Sequence, residues 1–234
     1  MIAGGRGYVP AMEAVVVLLF AALAGAAFLA VRHGRFAAQR RHADLRGDVR
    51  SRGWGFSASG DPQLTRRWPG PPFHPGGGVA RPVVSGTHRG RSFVAFEYVY
   101  EITPSPTAKT AIPHRRLVIT ISLPGSVPDL AVTRKNAVAR VLDRPVPDVA
   151  GEHRHHRVAC ADPLFASTVL QPTVVEWLDA GPPWDWRFAG DTMIGYQPGR
   201  LTPERLLSGL DAFSDVLDRI PAEAWRHGSG PVAG

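Results

Sequence analysis

Three hydrophobic patterns organise the chain. Between Ala14 and Val31, eighteen consecutive positions carry no charged or strongly polar side chain. At 1.5 Å per residue the run gives about 27 Å of helix, close to the roughly 30 Å of a hydrocarbon core. No polar face interrupts it, so it does not read as the amphipathic helix of a soluble domain. From Val79 the pattern changes to alternation. Arg81–His88 reads as one strand and Arg91–Ile102 as the clearest of all. In the latter, Val94, Phe96, Tyr98, Tyr100 and Ile102 form a wholly apolar or aromatic face, while Phe93, Ala95, Glu97, Val99 and Glu101 form the other. A third pattern closes the chain. Leu206, Leu207, Leu210, Phe213, Val216, Leu217 and Ile220 recur at helical spacing. Thr202 is placed to cap this helix, Pro203 suits its first turn, and Pro221 stops it.

Between these landmarks the reading is coarser. THRGRS, residues 87–92, is a hairpin connection. Arg115–Leu123 is a strand, ended by a turn at Pro124-Gly125. Asp129–Thr133 is a further short strand, Lys135–Leu142 a helical turn or two, and Arg154–Ala161 another strand. Pro163–Leu170 and Pro172–Leu178 are short helices opened by proline. Asp185–Ala189 and Thr192–Tyr196 are expected to form a hairpin about Gly190-Asp191. Strands, two short helices and one long helix define an α+β domain on a mainly antiparallel sheet, packed by the C-terminal amphipathic helix. By element count alone a pleckstrin-homology-like barrel is one candidate architecture.

Charge orients the apolar run. Arg32, Arg35, Arg40, Arg41, Arg46 and Arg50 follow it against only Asp44 and Asp48, while Arg6 alone precedes it. The positive flank marks the cytoplasmic side. A secretory signal would carry its positive charge before a shorter run. The expected organisation is therefore an extracytoplasmic N-terminus over residues 1–13, a transmembrane helix over 14–31 and a basic juxtamembrane helix over 32–53. A Pro/Gly-rich connection over 54–78, a cytoplasmic α+β domain over 79–226 and a flexible tail over 227–234 complete it. Trp54, Phe56, Leu64, Trp68 and Phe73 are more large apolar groups than a disordered linker carries, so part of the connection is expected to pack on the domain. Ala21 and Gly25 have the small-xxx-small spacing of a helix–helix contact, with a second copy or a membrane-protein partner.

The net charge of +7 at first invites a nucleic-acid partner. Residues 1–50 hold seven arginines against Glu13, Asp44 and Asp48, so four of the seven excess charges lie there. Beside a bilayer, Arg32, Arg35, Arg40 and Arg41 would meet anionic lipid head groups, and no long basic stripe is left for nucleic acid. Arginine outnumbers lysine 25 to 2 and Asn136 is the single asparagine, a bias typical of a GC-rich genome. The single cysteine, Cys160, fits a reducing compartment.

Candidate chemistry is sparse. His153, His155 and His156, with Cys160 and Asp162 nearby, are the one metal-like cluster, but zinc sites use paired ligands at wider spacing. The plain alternative is an exposed strand start whose imidazoles titrate in water. Cys160 sits in an apolar stretch, where thiols are inert. Ser57 and Ser59 do not form a nucleophile elbow. Glu97 and Glu101 share the strand face expected to be solvated. Trp177, Trp184 and Trp186 suit core packing better than a partner surface. No catalytic, cofactor or metal residues are assigned. The leading expectation is a non-enzymatic interaction or scaffolding domain. The alternative is a membrane-tethered enzyme or small-ligand-binding domain built from Glu97, Glu101, His114 and Asp162.

The stretches GRSFVAFEYVY, HRRLVITISLP, ACADPLFASTVLQPTVVEWL and IPAEAW resemble a family of uncharacterised single-pass membrane proteins of high-GC bacteria. The resemblance runs from about Trp54 to Trp225. The second half is also similar to a broader bacterial domain of unknown function. The likeness implies a shared architecture and a membrane location. It brings no reaction and no catalytic residues, and it makes His155 and His156 a peculiarity of this chain.

Overall fold

The computed structural model describes residues 16, 24–25, 28–29, 32, 40, 42–103, 110–134, 156–181 and 183–229. The chain divides into two units, Met1–Leu45 and Arg46–Gly234. In the first, the described residues are helical. Among the described residues no helix is long and apolar enough to cross a membrane. Most of the apolar run lies outside them, as do the tail beyond Ser229 and the helical turns expected over Lys135–Leu142.

The second unit is an α+β domain on an antiparallel sheet. Its strands are β1 (Gly55–Ser57), β2 (Val79–His88), β3 (Arg91–Ile102), β4 (Ile112–Arg134), β5 (His156–Cys160) and β6 (Asp185–Pro198). Helices α1 (Pro163–Val169) and α2 (Pro172–Asp179) lie between β5 and β6; α3 (Pro203–Arg219) and a 3-10 helix (Ala222–Ser229) follow. β1, β2, β3 and β4 pair in sequence. β3 and β5 take successive stretches of one edge of β4, and β6 runs along the other edge. The six strands make one sheet, with no pairing between β1 and β6 that would close a barrel among the described residues.

Local chemistry explains most of these elements. β2 and β3 are joined by Arg89-Gly90, both at positive φ (48° and 79°), as a tight two-residue hairpin demands. Pro82 has no N–H to give the ladder, and the β2–β3 register shifts between Ala80 and Val83. The Asp162 carboxylate accepts from the N–H groups of Leu164 and Phe165 and so caps α1. Thr202 Oγ1 accepts from the Arg205 N–H and caps α3.

Two expected turns are absent. β4 continues through Pro124-Gly125, and β6 continues through Gly190-Asp191 instead of folding back. The two sites oppose each other. Ser122 pairs with Thr192 and Val127 with Gly190, and the register shifts on either side of that second pair. Gly190 has φ +59°. The turn chemistry in each strand thus produces one shared irregularity in a long two-stranded ribbon, as bulges do.

Both faces of the sheet are covered. On one, α3 packs so closely that a Cβ at Gly195 would overlap the Phe213 ring, and one at Gly209 would crowd Ile119 and Trp184. On the other, Trp68 and Phe73 from the 54–78 connection close over Phe96, Tyr98, Tyr100, Val118, Ile194 and Tyr196. The expected connection thus contains β1, and its remainder is a strap that crosses the sheet between β1 and β2. Towards the β5 end, Phe188 meets Phe165 of α1 and Trp225 of the 3-10 helix at ring distances of 6.3 and 6.0 Å.

Candidate functional site

The densest grouping of polar and aromatic side chains lies where the strap crosses the ends of β3 and β4. Tyr98 and Tyr100 are two apart on β3 and share a face, and His114 is the cross-strand partner of Tyr100. Their rings stack: Tyr98 on Tyr100 at 5.2 Å and Tyr100 on His114 at 5.4 Å. His74 from the strap stacks on Tyr100 at 5.4 Å. Arg116 Nε donates to Tyr100 Oη at 3.2 Å, and its guanidinium lies 5.8 Å from the Tyr196 ring centre. Tyr98 Oη accepts from the His74 N–H and donates to the Gly77 carbonyl. Burial raises the phenol pKa of Tyr98 above its ordinary value and does the same, more strongly, to Tyr196. Tyr98 is thus a neutral hydrogen-bonding group that pins the strap.

A second grouping lies on the opposite face. Glu97 is only 8 % exposed. Arg115 Nη1 donates to its Oε1, and the Leu201 N–H donates to its Oε2 at 3.3 Å. The face expected to be solvated is instead roofed by the approach to α3, and Glu97 fastens that approach to β3.

A third group is Arg187 on β6. It is 9 % exposed, and its Nη2 donates to the Pro69 carbonyl of the strap at 2.7 Å. Its Nε is buried and has no hydrogen-bond partner. Burial lowers its pKa from the ordinary arginine value, with Asp129 acting weakly in the opposite direction through space.

The residues considered for an unrecognised site are dispersed. Glu97 and His114 lie on opposite faces, Glu101 is exposed, and Asp162 is a helix cap. His153 and His155 lie outside the described residues. His156 is 1 % exposed, against the expectation of a solvated imidazole. It pairs with Arg134 at the end of the β4–β5 ladder, where the strand turns it inward. No group of three or more metal-ligating side chains occurs among the described residues. Cys160 is buried, with a thiol pKa raised by that burial, and its Sγ lies 3.2 Å from the Asp162 carbonyl. Trp184 and Trp186 are core residues, while Trp177 is half-buried.

In the N-terminal unit, Gly25, Phe28, Leu29 and Arg32 are helical and exposed, Phe28 at 66 % and Leu29 at 55 %. Their spacing places them on one stripe, and a Cβ at Gly25 would meet nothing within 4 Å. Arg40 is also helical and exposed. Ala21, Arg35 and Arg41 lie outside the described residues.

By these features the second unit is an α+β domain whose antiparallel sheet is roofed by a helix on one side and a strap on the other. Among solved structures the chain is similar to the mycobacterial trehalose monomycolate transport factor A, TtfA. The TM-score is 0.57 at 15% sequence identity, over 77% of this chain and 96% of that one. This likeness establishes the shared fold. No known family pattern matches the chain, and no curated protein matches it.

Proposed function

We propose that this chain is a single-pass bacterial membrane protein whose α+β domain serves as a non-enzymatic interaction or scaffolding module at the cytoplasmic face of the cell membrane. The observation that carries the reading is the apolar run Ala14–Val31 followed at once by arginines. In this reading Arg32, Arg35, Arg40 and Arg41 lie among anionic lipid head groups. Ala21 and Gly25 allow close approach of another membrane helix, from a second copy or a partner. The exposed Phe28 and Leu29 suit a lipid environment. The similar solved structure is that of a transport factor, and an accessory part in membrane transport is the form of scaffolding that the shared fold and the anchor suggest together.

Topology is the test. Single-cysteine chains with Cys160→Ala and either Gly4→Cys or Ser59→Cys are treated on intact cells with a membrane-impermeant maleimide. Gly4→Cys should label in intact cells, and Ser59→Cys only after permeabilisation. Labelling of Ser59→Cys in intact cells, or recovery of the chain in the soluble fraction, overturns the reading.

A further inference from the structure

Arg187 lacks a complete set of partners. Buried polar groups are almost always bonded, and a buried cation without a counter-charge is costlier than a neutral group in the same position. Here the guanidinium has one hydrogen bond, to the neutral carbonyl of Pro69. Its Nε–H is out of reach of water and bonds to nothing. Among the described residues no carboxylate lies within ion-pair distance of it. The next strap residue is Gly70 at φ +85°, with its Cβ position 3.8 Å from Nη1, so no side chain intervenes on that edge. A planar guanidinium with free N–H groups is the natural receptor for a carboxylate or phosphate, which it binds through two parallel hydrogen bonds.

We propose that Arg187 is an anion site occupied in this structure by the strap itself, with the Pro69 carbonyl standing where an oxygen of a phosphate or carboxylate group would sit. An incoming anion satisfies Nε and Nη2 together and displaces the carbonyl. That loosens the Trp68–Phe73 portion of the strap from the aromatic face. Because this segment joins β1 to β2, occupancy of Arg187 frees the connection between these two strands.

The strap carries its own reporter: Arg66 and Arg67 are exposed trypsin sites immediately before Trp68. The full chain in phosphatidylcholine nanodiscs is digested briefly, and cleavage at these two arginines is followed by mass spectrometry. Inorganic phosphate should accelerate it several-fold in a saturable way, with sodium chloride of matched ionic strength having no effect. Arg187→Gln should cleave fast from the start and ignore phosphate. A parallel arm replaces phosphatidylcholine with phosphatidylglycerol. Acceleration there without added phosphate identifies a lipid head group as the source, and acceleration by phosphate identifies a soluble anion. Failure of both arms in the unmodified chain overturns the proposal, whether or not Arg187→Gln folds. The phosphate arm is independent of the orientation proposed for the membrane segment, so the two readings fail separately.

Discussion

The two faces of the sheet are covered by opposite means. On one, α3 is a regular helix with a continuous apolar stripe, and glycines at 195 and 209 let it sit against the strands. On the other, an irregular strap rich in glycine and proline inserts two large rings, Trp68 and Phe73, and is pinned by two hydrogen bonds with Tyr98 and one from Arg187. The helix satisfies its own backbone and brings only side chains to the interface. The strap closes short turns of its own, such as Phe73 N–H to the Gly70 carbonyl, and takes its remaining backbone partners from side chains of the sheet, Tyr98 and Arg187. By that difference the strap side should open before the helix side does.

Phe213→Ala tests the helix side most severely. It removes a fully buried ring that fills the space over Gly195, and should cost about 3–5 kcal/mol of global stability by chemical denaturation. Trp68→Ala should cost less, about 3 kcal/mol at most, and should show first as faster amide exchange confined to the strap. Equal global losses for the two variants would erase the distinction between the faces. A smaller effect concerns Tyr98 and Tyr196. Burial raises both phenol pKa values in the folded state, whereas in the unfolded chain they ionise near about 10. The native state therefore holds its phenol protons longer. Stability should be independent of these groups below that pH and fall as pH rises above it. Tyr98→Phe should flatten part of that fall in a pH series of melts. The smallest effect belongs to the rim of the helix side. Arg89 and Arg91 at the β2–β3 turn make exposed or half-exposed ion pairs with Asp215 and Asp218 on α3, and His88 Nε2 lies 2.8 Å from Asp211 Oδ1. Arg89→Ala should leave the melting temperature within experimental error, since solvent and salt screen such contacts.

The helix side was legible in the sequence because its information is local. The spacing of Leu206, Leu210, Phe213 and Leu217 states both the element and its buried face, and Thr202 and Pro203 state where it starts. The alternation of β3 was equally plain. What it concealed was that both faces are covered: Glu97 reads as solvated until the segment before α3 arrives from a hundred residues away to bond it. The strap gave only an indirect signal, its excess of large apolar side chains. Its ring stack with Tyr100 and His114 depends on contacts across distant segments that no local pattern encodes. Arg187 gave no signal at all, being one arginine among many.

Pro124-Gly125 and Gly190-Asp191 misled for a different reason. Each is a credible turn by itself, and only their opposition across the β4–β6 ladder reveals a shared irregularity. Between the Ser122–Thr192 and Leu130–Phe188 pairs β4 advances eight residues while β6 advances four, so unequal lengths are taken up here and pairing resumes on the far side. A residue inserted at Gly125 should therefore be absorbed at this site. One inserted in the regularly paired stretch from Arg116 to Ser122 would instead turn every side chain beyond it to the other face. The irregularity is the place in the ribbon where a designer could graft a loop without moving the register of the core.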